Sequence, residues 1–222
     1  MHLEPDAISC NAAVSACEGG GRWERALELL GSMLHLHIRP DVITCSSAVS
    51  TCEKGGHWRR ALALLRLSVR VSAEPDVISC NSVVSACEKG GEWRCPTALL
   101  DSMSQARLEP NVISCSSAVS ACETGGRWLS ALALLAAMAS LRVEPNALSV
   151  NAAIRTCSSA GRWQMSLHAF GGMLELRLAP DIVTYKSVLD AVFEWPVVWN
   201  ALCEDFQCGA LGRTILSQGM AM

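Results

Sequence analysis

This sequence predicts an all-α solenoid of small stacked helical units, on three observations. Proline recurs every 35 residues, at Pro5, Pro40, Pro75, Pro110, Pro145 and Pro180. Tryptophan keeps the same interval, at Trp23, Trp58, Trp93, Trp128 and Trp163. Within each period, apolar residues fall twice at helical spacing. A period of about 20 to 50 residues marks a repeat architecture, in which each unit buries its apolar side against its neighbours. The 222 residues therefore do not read as one or two domains around a large core.

The period divides the chain into five units, 7–41, 42–76, 77–111, 112–146 and 147–181. The first helix of a unit shows Cys10, Ala13, Val14 and Cys17 at i, i+3, i+4 and i+7. A glycine turn follows, as at Gly55-Gly56 and Gly90-Gly91, because a tight helix–helix turn needs conformations that glycine supplies. The second helix opens at the tryptophan and continues with Ala26, Leu27 and Leu30. Proline then breaks the chain, and the Asp or Asn after it can cap the next helix. The third unit departs from the pattern. Pro96 takes the place of Ala26 and Thr97 that of Leu27, so a second-turn proline is expected to weaken that helix. Residues 182–208 read as a degenerate sixth unit or cap, with Val198 where tryptophan is due, and 209–222 as a disordered tail.

The composition is 50% apolar and 18% charged. The longest apolar-rich run, Leu129 to Leu141, is short of the roughly 20 residues that span a bilayer, so no membrane segment is expected. The start MHLEPDAIS resembles neither a signal nor a transit peptide, and any targeting segment is expected upstream of it. The net charge of −3 runs against the basic balance usual in nucleic-acid binders.

Twelve cysteines suggest disulfides or zinc, but their spacing does not. Cys10/Cys17, Cys45/Cys52, Cys80/Cys87 and Cys115/Cys122 are seven residues apart. Two helical turns separate such residues by roughly 10 Å, beyond disulfide reach. No C-x-x-C occurs and the histidines do not keep the period, so no metal site is expected. They read as small core residues, slow to react with thiol reagents.

The unit closes in Pro-Asp or Pro-Asn and opens with (V/I/A)-(I/L)-(S/T)-x-(N/S), and the stretch from Ile182 reads IVTYKSVLDAV. In these features and its 35-residue period the chain resembles the pentatricopeptide repeat family, from about Glu4 to Cys208. The tetratricopeptide repeat differs, with a 34-residue period and other Trp/Gly/Tyr spacing. The resemblance implies a right-handed superhelical solenoid that binds single-stranded RNA, one base per repeat. It implies base reading by the fifth and last residue of each unit: Asn11 with Asp41, Ser46 with Asp76, Asn81 with Asn111, Ser116 with Asn146, and Asn151 with Asp181. An Asp accepts only and suits uracil or guanine, whereas an Asn also donates and suits adenine or cytosine. The motif implied is U-G-Y-A-U. Ile8, Ile43, Ile78, Ile113, Leu148 and Val183 would wedge between bases, and Lys54 and Lys89 would contact phosphates. The family's role is organellar RNA processing, stabilisation, editing or translation, in mitochondrion or chloroplast.

No catalytic constellation, cofactor motif or small-molecule site is evident. The glycine pairs are helix turns rather than phosphate loops, and no deaminase or nuclease cluster stands out. The alternative function is a protein-interaction scaffold without RNA binding, which the acidic balance and tryptophan-rich second helices favour.

Overall fold

Helix starts follow from the residue after each proline. Asp6, Asp41, Asp76, Asn111 and Asn146 hold extended backbone, and each accepts, at 2.8–3.0 Å, the amide N–H three residues on, from Ser9, Thr44, Ser79, Ser114 and Ser149. This cap satisfies one of the orphan donors of a helix N-terminus. The computed structural model describes residues 6–193. The capped helices there are α1 (Ala7–Gly19), α3 (Val42–Lys54), α5 (Val77–Lys89), α7 (Val112–Thr124) and α9 (Ala147–Ser159), followed by α11 (Ile182–Phe193). Between them lie α2 (Trp23–His35), α4 (Trp58–Arg70), α6 (Arg94–Gln105), α8 (Trp128–Ser140) and α10 (Trp163–Glu175). No strand occurs among the described residues.

Each odd helix packs on the even helix that follows it and on the odd helices before and after it, and each even helix also touches the next odd helix. The result is a two-layer solenoid with the odd helices as one continuous layer. Its core is periodic. Val14, Val49, Val84, Val119 and Ile154 are at most 1% exposed, and Met33, Met103, Met138 and Met173 plug the even helices to the same degree. Ser68 stands in the methionine place of the second unit and donates to the Leu65 carbonyl at 2.7 Å.

Two adjacent glycines per turn do different work. The second, such as Gly56 or Gly91, has φ of +65° or +69°, which costs a side chain strain. In the third and fourth units the first lies under the tryptophan of the preceding unit. A Cβ on Gly90 would stand 2.4 Å from Trp58 Cδ1, and one on Gly125 would stand 2.6 Å from Trp93 Cδ1. Guanidinium groups cover indoles at unit boundaries: Arg60 lies 3.8 Å from the Trp23 ring centre and Arg127 lies 4.5 Å from that of Trp93.

Burial and the cysteine expectation agree for Cys45, Cys80 and Cys115, and also for Cys52, Cys87, Cys122 and Cys157. Burial pushes the Cys45, Cys80, Cys122 and Cys157 thiols up to about 11, and Cys87 up to about 12. Cys10 is a correction: it and Cys17 are partly exposed, because among the described residues α1 packs on one odd helix, α3, whereas α3, α5, α7 and α9 each pack between two. At pH 8, iodoacetamide is expected to label Cys10 and Cys17 about a hundredfold faster than the buried set, since the thiolate is the nucleophile. Mass spectrometry of each labelled peptide checks this, and equal rates would show that the core stripe is misassigned.

Pro96 is a second correction. It does not fall in the second turn. α6 begins at Arg94, one residue later than the other even helices, with Trp93 as its N-cap. Pro96 is therefore the third helical residue, where a missing N–H is an orphan in any case. The third unit still forgoes the bond that Ala61 N–H makes to the His57 carbonyl at 3.0 Å, and Thr97 replaces a half-buried leucine. Pro96→Ala with Thr97→Leu is expected to stabilise by about 1–2 kcal/mol, raising Tm by roughly 2–8 °C. A thermal melt followed by circular dichroism checks it, and a lower Tm would show that α6 is better served by its proline.

α11 supplies the first helix after the fifth unit. The remainder of the expected cap, from residue 194 onward, and the tail lie outside the described residues.

Candidate nucleic-acid interface

The residue that caps each odd helix is also the last residue of the preceding unit, so one side chain serves both. At Asp41, Oδ1 accepts from the Thr44 N–H at 2.8 Å, while Oδ2 accepts from Asn11 Nδ2, also at 2.8 Å. Thr44 Oγ1 lies between Asp41 Oδ1, at 2.7 Å, and the Asn11 amide oxygen, and shares its proton with both. Three residues from two units thus form one polar rung. The rung recurs. Asn81 Nδ2 donates to Asn111 Oδ1 at 3.3 Å, Ser116 Oγ to Asn146 Oδ1 at 3.2 Å, and Asn151 Nδ2 to Asp181 Oδ2 at 3.4 Å. Ser46 reaches Asp76 indirectly. Its hydroxyl lies 2.8 Å from that of Ser79, which donates to Asp76 Oδ1 at 2.6 Å.

Four of the five sequence-paired couples therefore touch and the fifth is bridged. Sequence reasoning missed the third member, Thr44, Ser79, Ser114, Ser149 or Thr184, each at most 3% exposed. Its signal was the Ser or Thr of the opening pattern. In four of the five rungs the two paired residues differ in access, whereas Ser46 and Asp76 are both half-buried. Asp41, Asn111 and Asp181 are exposed, whereas Ser116 and Asn151 are 3% and 5% exposed. In those four the last residue is the outer member, and the fifth holds it from behind. Burial pushes the Asp41 carboxyl up, but bonds from Thr44 and Asn11 outweigh it and hold the group below its ordinary value. The Thr184 N–H and hydroxyl do the same for Asp181. Both are acceptors at neutral pH.

Beside the rungs runs an exposed aliphatic stripe. Ile8, Ile43, Ile78, Ile113 and Leu148 are 56–77% exposed, and Val183 is 47% exposed. Each lies in the first turn of an odd helix. Single exposed apolar residues are ordinary; here six recur at one interval along one layer.

The two lysines are engaged elsewhere. Lys54 Nζ donates to the Glu18 carbonyl at 2.7 Å and lies 4.0 Å from its carboxylate, and Lys89 Nζ lies 3.1 Å from Glu53 Oε1. Arg155 continues this ladder with a bidentate pair to Glu123 at 2.7 and 2.6 Å. Glu88 has Thr124 where Lys54 or Lys89 would stand, and burial pushes its carboxyl up despite bonds from Ser117 and Ser120. Any anion contacting Lys54 or Lys89 competes with a glutamate. Among the described residues no group of three or more His, Cys, Asp or Glu is placed to hold a metal ion, and no helix is long and apolar enough to cross a membrane.

A helical-repeat protein with a periodic polar and aliphatic face is the class that fold and rungs define. The family description of the PPR repeat matches residues 8–38, and that of the pentatricopeptide repeat domain matches residues 63–127. Over those two stretches the chain is similar to the pentatricopeptide repeat family. No curated protein sequence matches it. Among solved structures it is similar to the PPR domain of Arabidopsis thaliana protein-only RNase P 1, crystallised with tRNA, at 12% identity and TM-score 0.69, over 80% of this chain and 94% of that one. It is similar to PPR10, a maize protein crystallised with an 18-nt psaJ RNA element, at 24% identity and TM-score 0.68, over 84% of this chain. It also resembles A. thaliana nuclear proteinaceous RNase P 2, at 11% identity and TM-score 0.75. The chain spans 28% of PPR10 and 42% of RNase P 2. At these identities the likeness is one of fold.

Proposed function

We propose that this chain binds single-stranded RNA along its odd-helix layer, one base per unit across 7–41, 42–76, 77–111, 112–146 and 147–181. One observation carries the reading: polar rungs and exposed aliphatic side chains alternate in phase through all five units. Each rung offers a hydrogen-bonding edge for a base, and each aliphatic side chain an apolar face against which bases pack. The proteins of like fold crystallised with RNA support the same reading. The proposed order of bases is U-G-Y-A-U, and the proposed setting is RNA processing, stabilisation, editing or translation in a mitochondrion or chloroplast. Lys54 and Lys89 belong to the proposal as phosphate contacts that must first leave their glutamates, so affinity from this chain alone is expected to be weak.

A gel shift with short RNAs tests it. RNA containing U-G-Y-A-U should bind more tightly than a shuffled sequence, and binding should weaken as salt rises, with a slope of about −0.7 per phosphate neutralised. Ser46→Asn should move the second-base preference from G toward U, because the small hydroxyl is replaced while the acceptor Asp76 stays. An unchanged preference would overturn the one-base-per-unit code. No shift at any salt would overturn RNA binding and favour the protein-interaction scaffold.

A further inference from the structure

Charge is divided between the two edges of the solenoid. The odd helices α1, α3, α5, α7 and α9 have 13 residues each, with a capping residue at one end and a turn at the other, about 20 Å apart. At the rung edge acids prevail: residues 37–41 and their four later counterparts hold six carboxylates and four arginines. At the turn edge the balance reverses. Within three residues of the five periodic tryptophans stand seven arginines and two glutamates, in a chain whose net charge is −3. The even helices start here, and the helix dipole disfavours a cation at a helix start, so helix stability does not account for these arginines. Four of the five indoles carry a guanidinium. Arg60 lies 3.8 Å from the Trp23 ring centre, Arg94 and Arg127 lie 5.1 and 4.5 Å from that of Trp93, Arg162 lies 5.2 Å from that of Trp128, and Arg59 lies 4.7 Å from that of Trp58. Arg60, Arg94, Arg127 and Arg162 fall one to a unit from the second unit to the fifth, and all four are exposed.

We infer that this row of stacked arginines is a second RNA track, which holds the phosphates of a stretch of RNA other than the one in the rungs. A guanidinium stacked on an indole uses its flat face for the ring and keeps its N–H edge free, already oriented for a bidentate bond to phosphate. Among the described residues the arginines paired with a carboxylate are Arg25, to Glu28, and Arg155, to Glu123. The four arginines of the row thus have no glutamate to leave, unlike Lys54 and Lys89. Glu92 stands where Arg127 and Arg162 stand in later units, and its carboxylate accepts from the Arg94 backbone N–H at 3.0 Å. The indoles are not open platforms for bases, because Gly90 and Gly125 lie against Trp58 and Trp93. The row therefore recognises charge and is indifferent to base sequence. Its distance from the rungs, about 20 Å, is more than one nucleotide spans, so a base in a rung and a phosphate on the row belong to different nucleotides. That the polyanion is RNA rests on the function proposed above; the place of the row does not.

The test compares the whole chain with a variant carrying Arg60→Gln, Arg94→Gln, Arg127→Gln and Arg162→Gln. Fluorescence anisotropy follows binding of an oligo(A) and of an RNA of equal length that contains U-G-Y-A-U, at several salt concentrations. Oligo(A) lacks the motif and so reports the row. Its affinity for the variant should fall by about tenfold or more, and the slope of log K against log salt should lose about 0.7 for each phosphate no longer neutralised, about 3 in all. Lysine at the same four places keeps the charge and should keep the slope. The preference for U-G-Y-A-U over a shuffled sequence should survive in the glutamine variant. An unchanged oligo(A) affinity and slope with that preference intact would overturn the row and leave the rungs standing. A lost slope in a chain that shows no motif preference would support the row and overturn the base-per-unit reading instead. If circular dichroism shows the fourfold variant unfolded, Arg127→Gln with Arg162→Gln takes its place, with an expected loss of about 1.4 in slope. Displacement of oligo(A) by poly-L-glutamate as readily as by an RNA of equal charge would assign the row to an acidic protein and overturn RNA as its occupant.

Discussion

Changing Ile43, Ile78 and Ile113 together to serine is expected to weaken RNA binding about a hundredfold and leave Tm within roughly 3 °C of its original value. These side chains are 61–66% exposed, so their loss opens no cavity. They cannot be holding the solenoid together. Contact with a base face is worth about 1 kcal/mol or more per nucleotide, by analogy with aromatic stacking platforms. Three such contacts amount to about 3 kcal/mol, slightly more than a hundredfold in Kd. The salt slope should stay the same, because no charge is altered. Fluorescence anisotropy at two salt concentrations, beside a thermal melt, checks all three quantities. A large fall in Tm with unchanged affinity would show the stripe to be structural and remove a main support of the RNA reading.

Met138→Ala is expected to give the largest loss of stability, about 3 kcal/mol, and to lower Tm by roughly 6–12 °C. Met138 is 0% exposed and belongs to the core that runs from the first unit into the fourth. In a solenoid each unit is held by its nearest neighbours, so a cavity here weakens the fourth unit and both its interfaces. Met138→Leu keeps most of the volume and should cost less than about 1.5 kcal/mol. Chemical denaturation of both variants checks the contrast. Equal and small effects would mean that the methionine place tolerates small residues generally, as the second unit does with Ser68.

Much of this molecule was legible before any coordinates. The prolines located the helix breaks, the residue after each proline the caps, and the tryptophans the first residue of α2, α4, α8 and α10. The valine and cysteine stripe was readable because helical periodicity is local: residues three and four apart share a face whatever the rest of the chain does. Four of the five couples named from the family resemblance are in contact, since 30 residues separate fifth from last in every unit and the 35-residue period keeps that geometry constant.

What the sequence left open depends on which side chains meet across units. Nothing local shows that Lys54 bonds Glu18, 36 residues earlier, or that Lys89 does the same with Glu53. Nothing local shows that Ser116 and Asn151 are buried behind Asn146 and Asp181 rather than standing free. The shift of α6 past Trp93 is a compromise between a proline and the packing of its neighbours, which a single-unit pattern does not contain. The sequence by itself determined the period, the helices and the residues at each place in the unit. Stacking alone decided which polar groups remain available, because availability is set by the neighbouring unit's atoms.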